Sequence, residues 1–255
     1  MNLSMVGDLA SAYHSASQRA RVVTEAWGEK NLYCPNCASG NLSRLRNNTK
    51  TSDYECPACG FRYQLKGQKT RIGERINDGA YEAMLEAINT DSTPNFFFMQ
   101  YDLADWRVKN LLLVPSFAFP VSAIIKRKPL ALTARRAGWI GCNIALSRIP
   151  IDARIAVVCE SIVLPAPDVR EKYRRVKPLR ELGAKQSGWT LDVLNAVRRL
   201  DKTTFTTAEM YSFTRELEEL HPDNRHVKDK IRQQLQVLRD RGFLRQVERG
   251  EWMLT

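Results

Sequence analysis

Cys34-Pro35-Asn36-Cys37, then Cys56-Pro57-Ala58-Cys59-Gly60, then Phe61-Arg62-Tyr63-Gln64-Leu65-Lys66: these residues decide the fold expected of the whole chain. The two Cys-x-x-Cys pairs are 18 residues apart, the spacing of a zinc ribbon. Two turns that each hold two thiolates supply four soft ligands at tetrahedral geometry, which suits a structural Zn²⁺ with no open position. The competing reading, disulfides or unpaired core thiols, fits a cytosolic chain poorly. Cys142 and Cys159 lack this spacing and are expected to be buried small hydrophobes.

Beyond the second pair the chain alternates. Period-2 geometry places Gln64 and Lys66 on one face of a strand and Phe61, Tyr63 and Leu65 on the other. Asp53, three residues before Cys56, has room to sit across from the polar face. A carboxylate, a second oxygen ligand and a lysine are what metal-assisted phosphodiester hydrolysis requires: oxygens to hold Mg²⁺ and a cation near the attacking water. Taken alone, an aspartate followed by a polar-x-lysine pattern is more often a solvated strand face.

Outward from this stretch, apolar positions at helical spacing predict helix from Leu3 to about Trp27. Ile76-Asn77-Asp78-Gly79 reads as a turn capping a helix from Ala80 to Ile88. Strands are expected at Phe96–Tyr101, Asn110–Val114 and Ile155–Pro165, where aromatic and branched residues concentrate. The result is a mixed α/β core. Between Pro165 and Ser187 charge and proline dominate without a sustained apolar pattern, so the domain boundary is placed near Gly183, giving units 1–182 and 183–255. In the second, helical patterns at Trp189–Leu200, Thr207–Leu220 and Arg225–Arg241 precede a hairpin at Phe243–Val247 and Glu251–Leu254. Three helices followed by a hairpin is the order of a winged helix.

Composition narrows the partners. The 255 residues carry 39 Lys and Arg against 28 Asp and Glu, a formal charge of +11 that favours polyanions. No apolar run approaches the roughly 20 residues of a membrane span, and the first residues are short of a secretory signal, so a cytoplasmic monomer is expected, with no membrane partner.

Two clusters are candidates for contact with DNA. Arg135, Arg136 and Trp139 form a basic-aromatic group in which Gly138 and Gly141 permit close backbone approach. The alternative is a buried tryptophan with arginines reaching outward. In the last helix Val227, Ile231, Leu235 and Leu238 recur at helical spacing and leave His226, Lys230, Arg232, Gln233 and Gln234 for a groove. Glutamine pairs with adenine edges and arginine with guanine, which makes Arg232, Gln233 and Gln234 base readers and the others phosphate contacts. The alternative is a solvated charged face.

The run Tyr33–Lys66, Ile76-Asn77-Asp78-Gly79-Ala80-Tyr81, Pro94-Asn95-Phe96-Phe97-Phe98, Arg127-Lys128-Pro129-Leu130-Ala131, the block Ala134–Asn143 and Lys230–Gln236 follow one another over nearly the whole chain. In that order they resemble the DpnI family of methyladenine-dependent restriction endonucleases. The resemblance implies a PD-(D/E)xK nuclease core of α/β (α+β) class with an inserted zinc unit, followed by a winged helix, both able to read N6-methyladenine in double-stranded GATC. It also implies Asp53 as the central Mg²⁺ ligand, Lys66 as the catalytic lysine, the Leu65 carbonyl as a further ligand, and Trp139 near the methyl groups. One position departs from the family pattern: Gln64 stands where the motif has an acid, offering an amide oxygen without charge. Either the site tolerates the amide, or Glu25 or Glu55 compensates, or the chain reads methylated DNA without efficient cutting. A zinc-ribbon transcription regulator of unrelated descent would need no Asp53 and Lys66 pair.

Overall fold

The computed structural model describes residues 1–46 and 52–255, with residues 184 and 185 as backbone only; residues 47–51, inside the expected zinc unit, lie outside the described residues. The chain forms two compact units that interleave along the sequence. One comprises Met1–Ile76, Ser92–Phe117 and Asp152–Lys177, the other Asn77–Asp91, Ala118–Ile151 and Pro178–Thr255. This grouping by packing differs from a division in chain order at 182/183.

The first unit is built on a sheet of β1 (Ser43–Arg44), β2 (Tyr54–Glu55), β3 (Arg62–Gln68), β5 (Asn95–Asp102), β6 (Arg107–Val114), β9 (Ile155–Cys159) and β10 (Ile162–Val163), in that order. Only β3 and β5 pair in parallel, Gln64 beside Phe96 and Lys66 beside Phe98; the other pairs are antiparallel. In β5 Asn95 through Met99 are all buried, the mark of an interior strand covered on both faces. The rings sort by parity: Phe96 stacks on Phe98 at 5.5 Å, while Phe97 stacks on Tyr63 at 5.6 Å on the opposite face. The expected run Ile155–Pro165 is two strands, because Glu160 and Ser161 take positive φ and turn the chain.

Helix α1 (Ala16–Asn31) crosses the odd-numbered face of β3, where a Cβ on Gly67 would lie 3.0 Å from the Thr24 methyl. It starts later than the sequence predicts. Leu3 to Met5 are instead extended, with Met5 N–H donating to the Trp106 carbonyl and Val108 N–H to the Leu3 carbonyl, so sheet hydrogen bonds outcompete helix there. Helix α3 (Ala166–Val176) occupies a segment in which no apolar pattern was expected; Val169, Tyr173 and Val176 nevertheless share its buried face. The buried amide of Asn95 ties these pieces together: its nitrogen donates to the Arg62 carbonyl at 3.0 Å, and its oxygen accepts from Ser116 N–H and the Tyr173 hydroxyl.

In the second unit β4 (Arg75–Ala80), β8 (Gly141–Ala145) and β7 (Ile124–Lys126) make a sheet in that order, followed in chain terms by α2 (Tyr81–Asn89) after β4. Residues 76–79 are therefore strand rather than the predicted turn, since β8 supplies partners that no local pattern reveals. The C-terminal part carries α4 (Ala184–Arg199), β11 (Thr204–Thr206), α5 (Thr207–Met210), α6 (Thr214–Leu220), α7 (Val227–Asp240), β12 (Leu244–Glu248) and β13 (Glu251–Leu254), with sheet order β11-β13-β12. The helix predicted over Thr207–Leu220 is broken by a 3-10 turn at Tyr211–Phe213, and its start is set by a reciprocal capping box between Thr206 and Glu209. Among the described residues no helix is long and apolar enough to cross a membrane.

Candidate metal centre and DNA-facing residues

Cys34, Cys37, Cys56 and Cys59 converge, with all four Sγ atoms within 4.8 Å of one another. Cys34 to Cys59 and Cys37 to Cys56 are both 3.6 Å apart. Zinc–sulfur bonds of about 2.3 Å at tetrahedral angles put sulfurs about 3.8 Å apart, so the donor set fits a metal such as zinc. The backbone N–H groups of Ala58 and Cys59 aim at Cys56; against the opposing effect of burial they hold its thiol at about 7. Burial pushes Cys34 the other way, relieved by a hydrogen bond with the Tyr63 hydroxyl at 3.1 Å. Tyr63 and Arg170 are supports that sequence reasoning missed. Arg170, on α3, donates to the carbonyls of Cys34 and Ser39 and lies over the Tyr33 ring. Cys142 is buried as expected, whereas Cys159 is exposed, because it ends β9 at a turn rather than entering the core.

Asp53 precedes β2. Its N–H donates to the Tyr63 carbonyl at 2.8 Å, continuing the register in which Tyr54 faces Tyr63, so Asp53 stands across from Gln64. Cross-strand neighbours share a face, and alternation adds Lys66 to it. Tyr63 and Leu65 are buried on the opposite face, as the alternation predicts. The Leu65 N–H donates to Asp53 Oδ2 at 2.8 Å, fixing the carboxylate. Burial raises the Asp53 pKa, opposed by that N–H and by the charges of Lys66, Arg21 and Arg44. Glu25 of α1 belongs to the same cluster. Its side chain is 14% exposed and ion-paired with Arg21 and Arg44; burial raises its pKa, the two arginines oppose this, and the Asp53 charge adds to it. Burial thus raises both carboxyls, and a divalent cation beside them would favour the charged forms. Glu55, in contrast, is engaged by Arg62 at 3.0 Å near the surface.

In the second unit the chain from Arg127 to Gly141 forms a closed loop. Trp139 is half-buried at its neck, with the Arg136 guanidinium 4.5 Å from the ring centroid, while Arg135 and Arg136 are exposed. Gly141 makes the ring's seat: a Cβ there would lie 2.8 Å from two indole carbons and 3.4 Å from the Gly79 carbonyl. Gly141→Ala should therefore displace Trp139 at a cost of about 1–3 kcal/mol, seen as a shift in tryptophan fluorescence and a lower Tm; an unchanged spectrum would show that the seat is loose.

On α7 the buried stripe is Val227, Ile231, Gln234, Leu235 and Leu238. Gln234 is 0% exposed and its amide oxygen accepts from the Thr190 hydroxyl at 2.6 Å, which corrects its expected place in a groove. It falls on the i+3 position from Ile231, so helical geometry turns it inward despite its polarity. His226, Arg232 and Gln233 are exposed and Lys230 is half-buried. Lys230 donates to the Gln233 amide oxygen at 2.8 Å, and Arg232 bonds Asp229 and the Tyr211 hydroxyl.

A mixed α+β fold with four clustered thiols able to hold a metal and a C-terminal winged helix defines a class of DNA-binding proteins. The family described as DpnI, Dam-replacing family, matches residues 1–182, and the Dam-replacing HTH domain matches residues 185–253. The chain belongs to the DpnI Dam-replacing family.

Proposed function

We propose that the chain is an Mg²⁺-dependent endonuclease that cuts double-stranded DNA at GATC containing N6-methyladenine. Residues 1–182 would supply a PD-(D/E)xK catalytic domain and residues 183–255 a second reader of the same mark. The observation that carries this reading is the register of β2 and β3, which gathers Asp53, Gln64 and Lys66 on one strand face within the part of the chain matched by the family.

The Asp53 carboxylate, the Gln64 amide oxygen and the Leu65 carbonyl would hold Mg²⁺, which when bound supplies Lewis acidity and neutralises charge on the transferred phosphoryl group. Lys66 would orient the attacking water by its charge and accept a hydrogen bond in no step, being a donor only. Water would attack phosphorus in line with the departing oxygen, the new P–O bond forming as the old one breaks, with the water's proton passing to solvent and the departing oxygen taking a proton from solvent. Asp53 is pre-set for its part, since the Leu65 N–H occupies one carboxylate oxygen and leaves the other for the cation. Of the acids that could compensate for Gln64, Glu25 is the one whose carboxyl feels the Asp53 charge, with Arg21 and Arg44 already paired to it. Trp139, with Arg135 and Arg136, would meet the methyl groups, and exposed residues of α7 (Arg232, Gln233) with His226 and Lys230 would meet bases and phosphate.

Gln64 favours a second reading, a binder of methylated DNA with a disabled active site. Purified chain, Mg²⁺ and matched GATC duplexes with and without methyl groups separate the two when cleavage and binding are scored together. The endonuclease reading expects cleavage of the methylated duplex alone, abolished by Asp53→Ala and raised about tenfold or more by Gln64→Glu, since hard cations gain from a charged oxygen. Methyl-specific binding with no cut until Gln64→Glu is introduced would establish the second reading. Equal treatment of both duplexes would sink both.

A further inference from the structure

Leu132 is 92% exposed, the most accessible large apolar side chain among the described residues. It is held there by construction. Ala134 N–H donates to the Ala131 carbonyl at 2.9 Å, which makes Leu132 the second residue of a tight turn. Behind the turn the loop is laced by Arg127 N–H to Gly141 O, Leu130 N–H to Trp139 O, Gly138 N–H to Leu130 O and Trp139 N–H to Arg136 O, all between 2.9 and 3.1 Å. Gly138 takes φ +75°, which lets the last of these turns close. A leucine kept out of contact forgoes the roughly 1.5–3 kcal/mol that burial would contribute.

The setting of the tip indicates what it meets. Arg127, Lys128, Arg135 and Arg136, on either side of it in the same loop, are all exposed. Ala131, Ala134 and Ala137 keep it narrow. An apolar point flanked along the loop by exposed cations matches a partner with anions outside and an apolar interior, which is the build of duplex DNA, phosphates flanking stacked bases. A lipid surface has both features too, but one leucine is too little apolar area for stable anchoring.

We propose that Leu132 is a wedge that enters the base stack of duplex DNA while the surrounding Arg and Lys side chains hold the flanking phosphates. The inference rests on the DNA-acting reading above and adds to it a residue that deforms the substrate. Unstacking a step costs a few kcal/mol, offset by the leucine's burial and by phosphate contacts that the opened duplex brings closer.

The test uses the full chain and methylated GATC duplexes carrying 2-aminopurine, which brightens when unstacked, at one position at a time within and beside the site. Binding is followed separately by anisotropy. The wedge predicts brightening at one step with the native chain. Leu132→Ala should bind on the order of tenfold more weakly and, at saturation, show no brightening. Arg135→Ala should weaken binding and reduce its salt dependence, yet keep the brightening once saturated. Both side chains are exposed, so matched melting curves are expected. A native complex without brightening at any position, or a saturated Leu132→Ala complex as bright as the native one, overturns the wedge and leaves the functional reading standing. No binding to duplex DNA at all overturns both.

Discussion

Replacing Cys34 with serine, or stripping the metal with a strong chelator, is expected to unfold the region around β2 and β3 and to lower the stability of the chain more than any other single change considered. Cys34 is fully buried, its thiol bonds the buried Tyr63 hydroxyl, and its carbonyl anchors Arg170 of α3. A metal held by the four thiols would add to this packing; structural zinc contributes about 10–16 kcal/mol in zinc-finger peptides. Tyr54 and Tyr63, paired across β2 and β3, would lose the register that the second cysteine turn imposes. Metal analysis should give one zinc per chain, lost in Cys34→Ser, with a fall in sheet signal by circular dichroism. Because binding requires thiolates, affinity for the metal should also weaken as pH falls. A metal-free chain with an unaltered melting curve would refute the structural role. The same register positions Asp53 opposite Gln64, so a chelator specific for zinc should abolish any cleavage even with Mg²⁺ in excess.

Asp192 should be the most sensitive side chain of the second unit. It projects from α4 with its side chain 3% exposed. One carboxylate oxygen accepts from the Ser122 hydroxyl at 2.6 Å, and the other is 2.8 Å from His221 Nε2. The His221 ring lies flat on Trp189, with centroids 3.8 Å apart, and the Ser122 carbonyl accepts from Arg148 at 2.6 Å. One carboxylate thus joins three stretches of chain that are far apart in sequence. Asp192→Ala removes the shared acceptor and leaves two polar groups without it in a buried setting, at a cost of about 2–4 kcal/mol, or a Tm lower by about 10 °C. Asp192→Asn keeps the shape and should recover part of the loss. Asp223, exposed between α6 and α7, is the control, with Asp223→Ala expected within about 0.5 kcal/mol of the native chain. Thermal unfolding of the three variants measures this, and an Asp192→Ala curve overlying the native one would mean that solvent replaces the carboxylate without loss.

Local patterns carried much of this molecule. Two Cys-x-x-Cys turns bring four thiols together because each pair is geometrically complete within four residues, leaving the fold only to join the turns. Strand β3 shows its alternation, β5 its apolar run and α7 its stripe at Val227, Ile231, Leu235 and Leu238, since periodicity of one element against one core is written in consecutive residues. The closing hairpin β12–β13 was legible for the same reason.

The sequence by itself therefore determined the four clustered cysteines, the faces of the main strand and last helix, and the closing helix–hairpin order. What only the tertiary structure decided depends on residues far apart. Gln234 is internal because Thr190 waits 44 positions away; β4 is a strand because β8 lies beside it; Glu25 feels the Asp53 charge only because the fold brings the two near each other. Leu132 is no different in the sequence from a core leucine, and its exposure follows from a loop closed by hydrogen bonds between residues on either side of the tip. Burial and partnership are properties of the space around a side chain, and a periodic pattern reports only the face on which it stands.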